Sequence, residues 1–328
     1  MRVAILGPGG VGGLLAAVLA RADAQRVRAD AELGSAAGSG ASHRVAVQVI
    51  ARESTAQAID EHGLRLRSVM FGDFGVPVPV SAGLCDPVDV LIVATKAAGL
   101  SDALERIEAA PALVLPLLNG LDHIALLRGR FAPETVLAAT IRVESDRPEP
   151  GVIVHTSQFL RVDMASASLD AEAGMERLAQ MFDDADIPAR VVLPISQRCE
   201  ADVMWSKLVR LNALACTTSA YDKLLGEIRS TPELRDELIA TIAEACAVGQ
   251  AEGARDVDAG VALGELELAH DTLGSSMQRD IAAGRPPELD AIPGAILRAG
   301  ARHGLSCPTI ERLVGLIAAR ARVPLPSP

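Results

Sequence analysis

The sequence predicts an α/β fold: a doubly wound parallel sheet in the N-terminal part, followed by an all-helical domain. Three observations predict it. An apolar run at residues 2–6 leads straight into a glycine-rich turn, further apolar runs alternate with helical segments, and strand signals nearly vanish from about Glu200 onward.

The run Val-Ala-Ile-Leu after Arg2 is continuously apolar, as a parallel strand covered on both faces should be. Gly7-Pro8-Gly9-Gly10-Val11-Gly12-Gly13 follows, and Leu14 to Arg21 then reads as a helix because it is rich in Leu and Ala and has no breaker. Residues 22–44 carry few large apolar side chains and include a Gly/Ser/Ala stretch, so they are expected to form a flexible insertion. Val45 to Ile50, Val88 to Ala94 and Leu113 to Leu118 read as further parallel strands. Val136 to Val143, Gly151 to Thr156 and Phe159 to Met164 read as antiparallel additions. Trp205 to Leu225, Pro232 to Glu252, Val261 to Asp280 and Glu288 to His303 read as helices. The domain boundary is expected near 195–198, giving a cofactor domain over 1–197 and a helical domain over 198–328.

Composition excludes several classes. With 328 residues the chain can build two cores. No apolar run reaches the roughly 18–20 residues needed to span a bilayer. The opening MRVAIL lacks a signal-peptide cleavage pattern and reads as a strand, so a cytoplasmic protein without a membrane partner is expected. A net charge of −11 with no basic block argues against nucleic acid. The five cysteines, Cys85, Cys199, Cys216, Cys246 and Cys307, are far apart with no CxxC pair, which predicts reduced thiols and no metal site.

Gly7-x-Gly9-x-x-Gly12 between a strand and a helix is the dinucleotide fingerprint of a Rossmann-type domain, in its proper context. The first glycine makes the tight turn, the second admits the pyrophosphate, and the third lets helix and strand pack closely. Phosphates then meet the backbone N–H groups of Gly10, Val11 and Gly12 at a helix N-terminus. The second strand ends in Ile50-Ala51-Arg52-Glu53. Arg52 suits the 2′-phosphate of NADP(H); Glu53, next to it, leaves NADH as the alternative.

Lys207 lies among Val203, Met204, Leu208, Leu211 and Leu214 at helical spacing. Such a lysine either snorkels outward, which the pattern alone favours, or sits in a cleft where lost solvation lets it exchange a proton near neutral pH. Glu288 and Asp290 follow Pro286-Pro287, where helix capping is a sufficient reason for both acids.

Taken together, ILGPGGVGG, Thr95-Lys96, Leu118-Asn119-Gly120, Trp205-Ser206-Lys207-Leu208, Ser275-Ser276-Met277-Gln278-Arg279-Asp280 and Glu288-Leu289-Asp290 resemble the ketopantoate reductase (2-dehydropantoate 2-reductase) family in order and spacing. The resemblance implies a Rossmann domain, a helical C-terminal domain, and an active site in the cleft between them. It implies NADPH-dependent reduction of a 2-oxo acid, with Lys207 as general acid, Glu288 hydrogen-bonding a substrate hydroxyl, and Ser276 holding the carboxylate. Asn119 and Lys96 would sit where cofactor and substrate meet, with Thr95 beside the cofactor.

The family carries asparagines four and eight residues after the lysine, and Leu211 and Ala215 stand there. Asn212 is one residue, about 100°, round the helix and is the nearest candidate substrate contact. Pro293 stands where an asparagine precedes the glycine, and should kink or delay that helix. These departures predict a more apolar pocket and widen the substrate to a related 2-oxo acid, another ketone or an imine. Two other readings remain: a hydroxyacid dehydrogenase of the hydroxyisobutyrate or 6-phosphogluconate type, whose glycine-rich substrate motif is absent, and a non-catalytic NADP(H) sensor. A homodimer is expected only by analogy of fold.

Overall fold

The computed structural model describes residues 1–32, 44–192 and 199–327. The chain divides into two compact units: Met1–Leu118 with His123–Pro194, and Asn119–Asp122 with Ile195–Pro328. The expected boundary at 195–198 lies outside the described residues. The four residues Asn119–Asp122 go with the helical unit.

The first unit runs β1 (Arg2–Leu6), α1 (Gly10–Glu32), β2 (Ala46–Ile50), α2 (Glu53–His62), β3 (Leu64–Ser68), β4 (Phe74–Val76), β5 (Val80–Ser81), β6 (Val90–Val93), α3 (Leu100–Leu104) and β7 (Leu113–Pro116). It continues through α4 (Asp122–Arg130, whose first residue belongs to the second unit), β8 (Ala138–Arg142), β9 (Ser145–Glu149), β10 (Val152–His155), β11 (Arg161–Ala165), α5 (Glu172–Asp183) and β12 (Ala189–Val192). Five strands form an all-parallel sheet in the order β5-β2-β1-β6-β7. β1 is central, and Val3 to Leu6 are at most 1% exposed, which is why they carry no polar residue.

The stretches expected as antiparallel additions join mixed sheets. β10 is antiparallel to β9 but parallel to β3, and β11 is antiparallel to β8 but parallel to β12. The expected insertion at 22–44 is corrected over its first part: α1 runs on to Glu32. Residues Gly12 to Leu19 are all buried, because the helix is covered on more than one side; Gly13 packs on Ile153 of β10. Beyond Arg21 the helix largely faces solvent, so Ala, Arg, Gln, Asp and Glu keep it helical with Val27 as its one large apolar residue. Residues 33–43 lie outside the described residues.

His155, 1% exposed, ties two turns of this unit together. Ser157 Oγ donates to the Phe159 carbonyl (2.7 Å), so its proton is committed and His155 Nε2–H must donate to it (3.1 Å). Nδ1 then accepts from Ser68 Oγ at 2.8 Å, while that oxygen accepts the amides of Met70 and Phe71. The imidazole is therefore held neutral. Burial pushes its pKa below the ordinary value, and the Phe159 carbonyl offsets this only in part. The unfolded chain thus binds a proton that the folded chain refuses, so stability is full above about pH 6.5 and falls as pH drops below it. Thermal melts of the wild-type protein between pH 7.5 and 5.5 should show this loss, and His155→Gln should flatten it. An equal acid slope in both would remove His155 as the cause.

The second unit holds α6 (Cys199–Tyr221), α7 (Leu225–Ser230), α8 (Pro232–Ala251), α9 (Ala259–Leu268), α10 (Ser276–Ala282), a π-helical turn at Asp290–Gly294, α11 (Ala295–Arg302) and α12 (Pro308–Ala321). Its core gathers Leu208, Leu225, Ile242, Leu266, Ile292, Ile296 and Ile317. The single helix expected over Val261 to Asp280 is two. α9 ends at Leu268, and Ser275 caps α10 by accepting the Gln278 amide at 3.0 Å. The helix expected from Glu288 starts later: Glu288 precedes a π-helical turn that contains Pro293, and regular α-helix begins only at Ala295.

Among the described residues no helix is long and apolar enough to cross a membrane, and no group of three or more His, Cys, Asp or Glu is placed to hold a metal. The five cysteines are unbridged, and burial pushes the Cys216 thiol up to about 12, so it is no nucleophile.

Candidate functional site

The parallel sheet decides where a ligand can be held in the first unit. From β1 the chain winds to β2 and β5 on one side and to β6 and β7 on the other, so the carboxyl ends of β1 and β6 form a topological switch point. Gly7 leaves β1 there with φ +89°, a conformation that glycine adopts without strain. Its N–H donates to Ile50 O at 3.1 Å, and a Cβ on it would lie 2.8 Å from Thr95 Cγ2. The first turn and the residues just after β6 are thus in contact.

The other glycines divide by what crowds them. A Cβ at Gly12 would come within 2.3 Å of Gly7 O, and one at Gly10 within 2.3 Å of Ser145 O. At Gly9 the nearest atom would be 4.0 Å away, so that position relieves no protein contact and leaves the backbone open to a ligand. The first intrahelical bond runs from Gly13 N to Gly9 O (2.8 Å), which leaves the amides of Gly10, Val11 and Gly12 ahead of the helical ladder. Thr95 Oγ1 is buried without a hydrogen-bond partner among the described residues. This unpaired hydroxyl and the open amides fit a phosphate-bearing ligand. Lys96 is exposed just beyond. Arg52, at the end of β2, is also exposed, and its guanidinium makes no hydrogen bond or ion pair among the described residues.

Ser145 is a residue that the sequence did not flag. It comes from β9, and its Oγ donates to Gly10 O at 2.9 Å, bracing the glycine turn from a different sheet. A serine at the start of a polar, exposed strand carries no signal of this in the sequence.

In the second unit Lys207, Asn119 and Glu288 form one hydrogen-bonded chain. Lys207 Nζ donates to Asn119 Oδ1 at 2.9 Å, and Asn119 Nδ2 donates to Glu288 Oε2 at 3.0 Å. The residues are 88 and 169 positions apart in sequence. Lys207 is 9% exposed, so it does not snorkel, contrary to what its helix pattern alone favoured. The amide fixes both charges at once: its carbonyl accepts only from the ammonium, and its NH2 donates only to the carboxylate. Glu288 keeps Oε1 without a partner among the described residues.

Gly120 makes the turn that presents Asn119. Its φ is +89°, and a Cβ there would lie 2.0 Å from Ala291 O, in the π-helical turn that follows Glu288. The turn and the acid are therefore packed backbone to backbone.

Two expected substrate contacts stand apart from this chain. Ser276 is exposed at the first position of α10, with no hydrogen bond to Lys207, Asn119 or Glu288. Its neighbour Ser275 is the buried one, accepting from Thr218 Oγ1 at 2.8 Å. Asn212 is 0% exposed inside the helical core, and its Oδ1 accepts from Cys216 Sγ at 3.4 Å. A residue closed off in that way is not a surface for substrate, and this corrects the expectation. The 100° step that separates it from Leu211 turns it inward. Leu211 is half-buried and Ala215 is 1% exposed.

One compositional signal could have found the lysine. The chain holds three lysines, Lys96, Lys207 and Lys223, among 31 Lys and Arg. Arginine does not release its proton near neutral pH, so a chain that otherwise uses arginine keeps lysine where a point charge or proton donor is required. Lys223 pairs with Glu227 on the surface; the other two are the predicted site residues.

Comparison with known proteins agrees with both halves. The model of ketopantoate reductase PanE/ApbA matches residues 3–166, and that of its C-terminal part matches residues 201–321. A 2-dehydropantoate 2-reductase of Mycobacterium tuberculosis is 29% identical, covering 98% of each chain. A solved 2-dehydropantoate 2-reductase of Geobacter metallireducens superposes with a TM-score of 0.81 at 25% identity, over 97% of this chain and 99% of the other. A D-mandelate dehydrogenase solved with NADH and anilino(oxo)acetate has the same fold, with a TM-score of 0.81 at 21% identity over 98% of this chain and 99% of the other. The glycine turn at the switch point, the Lys207–Asn119–Glu288 chain and these matches over both units make the protein a member of the ketopantoate reductase PanE/ApbA family of oxidoreductases.

Proposed function

We propose that the protein reduces the keto group of a 2-oxo acid, ketopantoate or a related compound, with NADPH, and that Lys207 is the proton donor. The observation that carries this is the buried ammonium held at 2.9 Å by Asn119, itself fixed by Glu288. Gly7, Gly9, Gly10, Val11 and Gly12 would hold the dinucleotide phosphates, with Thr95 and Lys96 beside them and Arg52 at the adenosine ribose. A bound nicotinamide supplies hydride.

The chain's own residues supply the rest. As a carbonyl carbon is reduced, negative charge develops on its oxygen, and an ammonium aimed at that oxygen both stabilises the charge and discharges it by proton transfer. One Lys207 N–H is spent on Asn119, which orients the group. Glu288 Oε1 is available to accept from a substrate hydroxyl, and Ser276 is the candidate for the carboxylate. A D-mandelate dehydrogenase of the same fold is solved with NADH and anilino(oxo)acetate, a ligand that lacks the hydroxyl of ketopantoate. Leu211, half-buried one turn after Lys207, supports a substrate less polar than ketopantoate.

Loss of absorbance at 340 nm with a panel of 2-oxo acids tests the proposal. Turnover with at least one is expected, and cofactor binding without any turnover would instead mark a sensor. Arg52→Ala is expected to raise KM for NADPH about 10-fold and leave that for NADH within about two-fold, the value of one charge-assisted contact to a phosphate. Equal changes for both cofactors would remove Arg52 from the 2′-phosphate.

A further inference from the structure

Arg298 projects from α11, and nothing in the reductase chemistry uses it. Its guanidinium nevertheless makes four hydrogen bonds to three separate pieces of the second unit. Nη2 donates to Asp122 Oδ2 at 2.6 Å and to the Asp290 carbonyl at 2.9 Å; Nη1 donates to Asp290 Oδ1 at 3.0 Å and to the Ser327 carbonyl at 2.8 Å. The Asp290 carboxylate also accepts the Ser327 amide at 3.0 Å. Gly294 lets these pieces close up: a Cβ there would lie 2.8 Å from Pro326 Cβ and 3.3 Å from Arg298 Nη1.

The two acids are placed tellingly. Asp122 is three residues after Asn119, in the turn whose Gly120 abuts Ala291 O, and Asp290 is two residues after Glu288. We propose that Arg298 is a positioning residue: by fastening the Asn119–Asp122 turn to the π-helical turn after Glu288, it sets the geometry of the Lys207–Asn119–Glu288 chain. A structural role alone predicts something else. Asp122 and Asp290 are 53% and 62% exposed at their side chains, and ion pairs to such exposed acids add little to stability. The fork instead spends two of its donors on main-chain carbonyls, which fixes backbone and not merely charge. The consequence for turnover rests on Lys207 being the proton donor; the consequence for Asn119 does not.

Two measurements separate these. Asn119 and Asn212 are the only asparagines in the sequence, so selective 15N labelling gives two side-chain amides, and Asn119→Asp assigns them. In the cofactor-free protein the Asn119 pair is expected to stand away from the position of a free amide and to move toward it in Arg298→Met, while the Asn212 pair stays. In the assay kcat is expected to fall about 30-fold in Arg298→Met, with KM changed less than about three-fold, as for a misplaced catalytic group. Arg298→Lys, whose single ammonium cannot reach both acids as a fork does, should fall between. Arg235→Met, which breaks an ion pair with Glu267 elsewhere in the same unit, should leave both readouts unchanged. Should Arg298→Met fail to fold, Asp122→Asn weakens the same clamp by one oxygen and is expected to move the Asn119 pair in the same direction. Unmoved Asn119 signals in a folded clamp variant would overturn the proposal. Moved signals with unchanged kcat would leave the clamp standing and count against Lys207 as the proton donor.

Discussion

Replacing Lys207 by alanine is expected to lower kcat by about 1,000-fold while the cofactor dissociation constant stays within about two-fold. Both numbers follow from where the ammonium sits. It is 9% exposed, so bulk water is a poor substitute for it, and its Asn119 partner leaves an amide with an unmatched carbonyl when it goes. The cofactor, by contrast, is proposed to bind the glycine turn of the other unit. Lys207→Arg should be nearly as slow, because a guanidinium keeps the charge but does not give up a proton. Stopped-flow absorbance at 340 nm checks the rate, and fluorescence of bound NADPH checks the affinity. Full activity in Lys207→Ala would end the mechanism; equal loss of cofactor binding would recast the lysine as structural.

Gly120→Ala has the second largest expected effect. Two penalties act at once: a Cβ in a positive-φ conformation, and its position 2.0 Å from a backbone oxygen that belongs to the turn after Glu288. Neither partner is the free end of a flexible side chain, so relief must come from moving backbone. A destabilisation of about 3 kcal/mol is expected, with kcat reduced about 100-fold in whatever remains folded. The single tryptophan, Trp205, is buried in α6 against Gly249, so its fluorescence in a urea titration follows the helical unit alone. An unchanged midpoint would show that the turn yields more cheaply than its packing implies.

The parts of the fold that could be read from the sequence were the strands of the parallel sheet that are largely buried. β1, β2, β6 and β7 are near-continuous apolar runs and were legible as such. β3 alternates as Leu64-Arg65-Leu66-Arg67 and β5 is two residues long, so neither stood out from its surroundings. The outer half of α1 reads as a loop in the sequence because its scarcity of large apolar residues marks exposure, not absence of helix. The glycine turn was legible because its chemistry is local. The Lys207–Asn119–Glu288 chain is assembled from three distant segments, and the helix pattern around Lys207 pointed the other way; only the family resemblance brought these residues together. Arg298 gave no sign at all, since an arginine in an amphipathic helix is ordinary and its function depends on two acids 176 and 8 residues away.

The membership of Asn119–Asp122 in the helical unit also bears on modularity. The polypeptide visits that unit twice, once for four residues and once for good. A recombination event that exchanged everything after residue 199 with a relative would deliver a foreign lysine and glutamate to a resident asparagine. The Lys207–Asn119–Glu288 chain is therefore inherited from a short early segment together with a long late one, and chimaeras split at the obvious seam are expected to recover its geometry fully only when that small segment travels too.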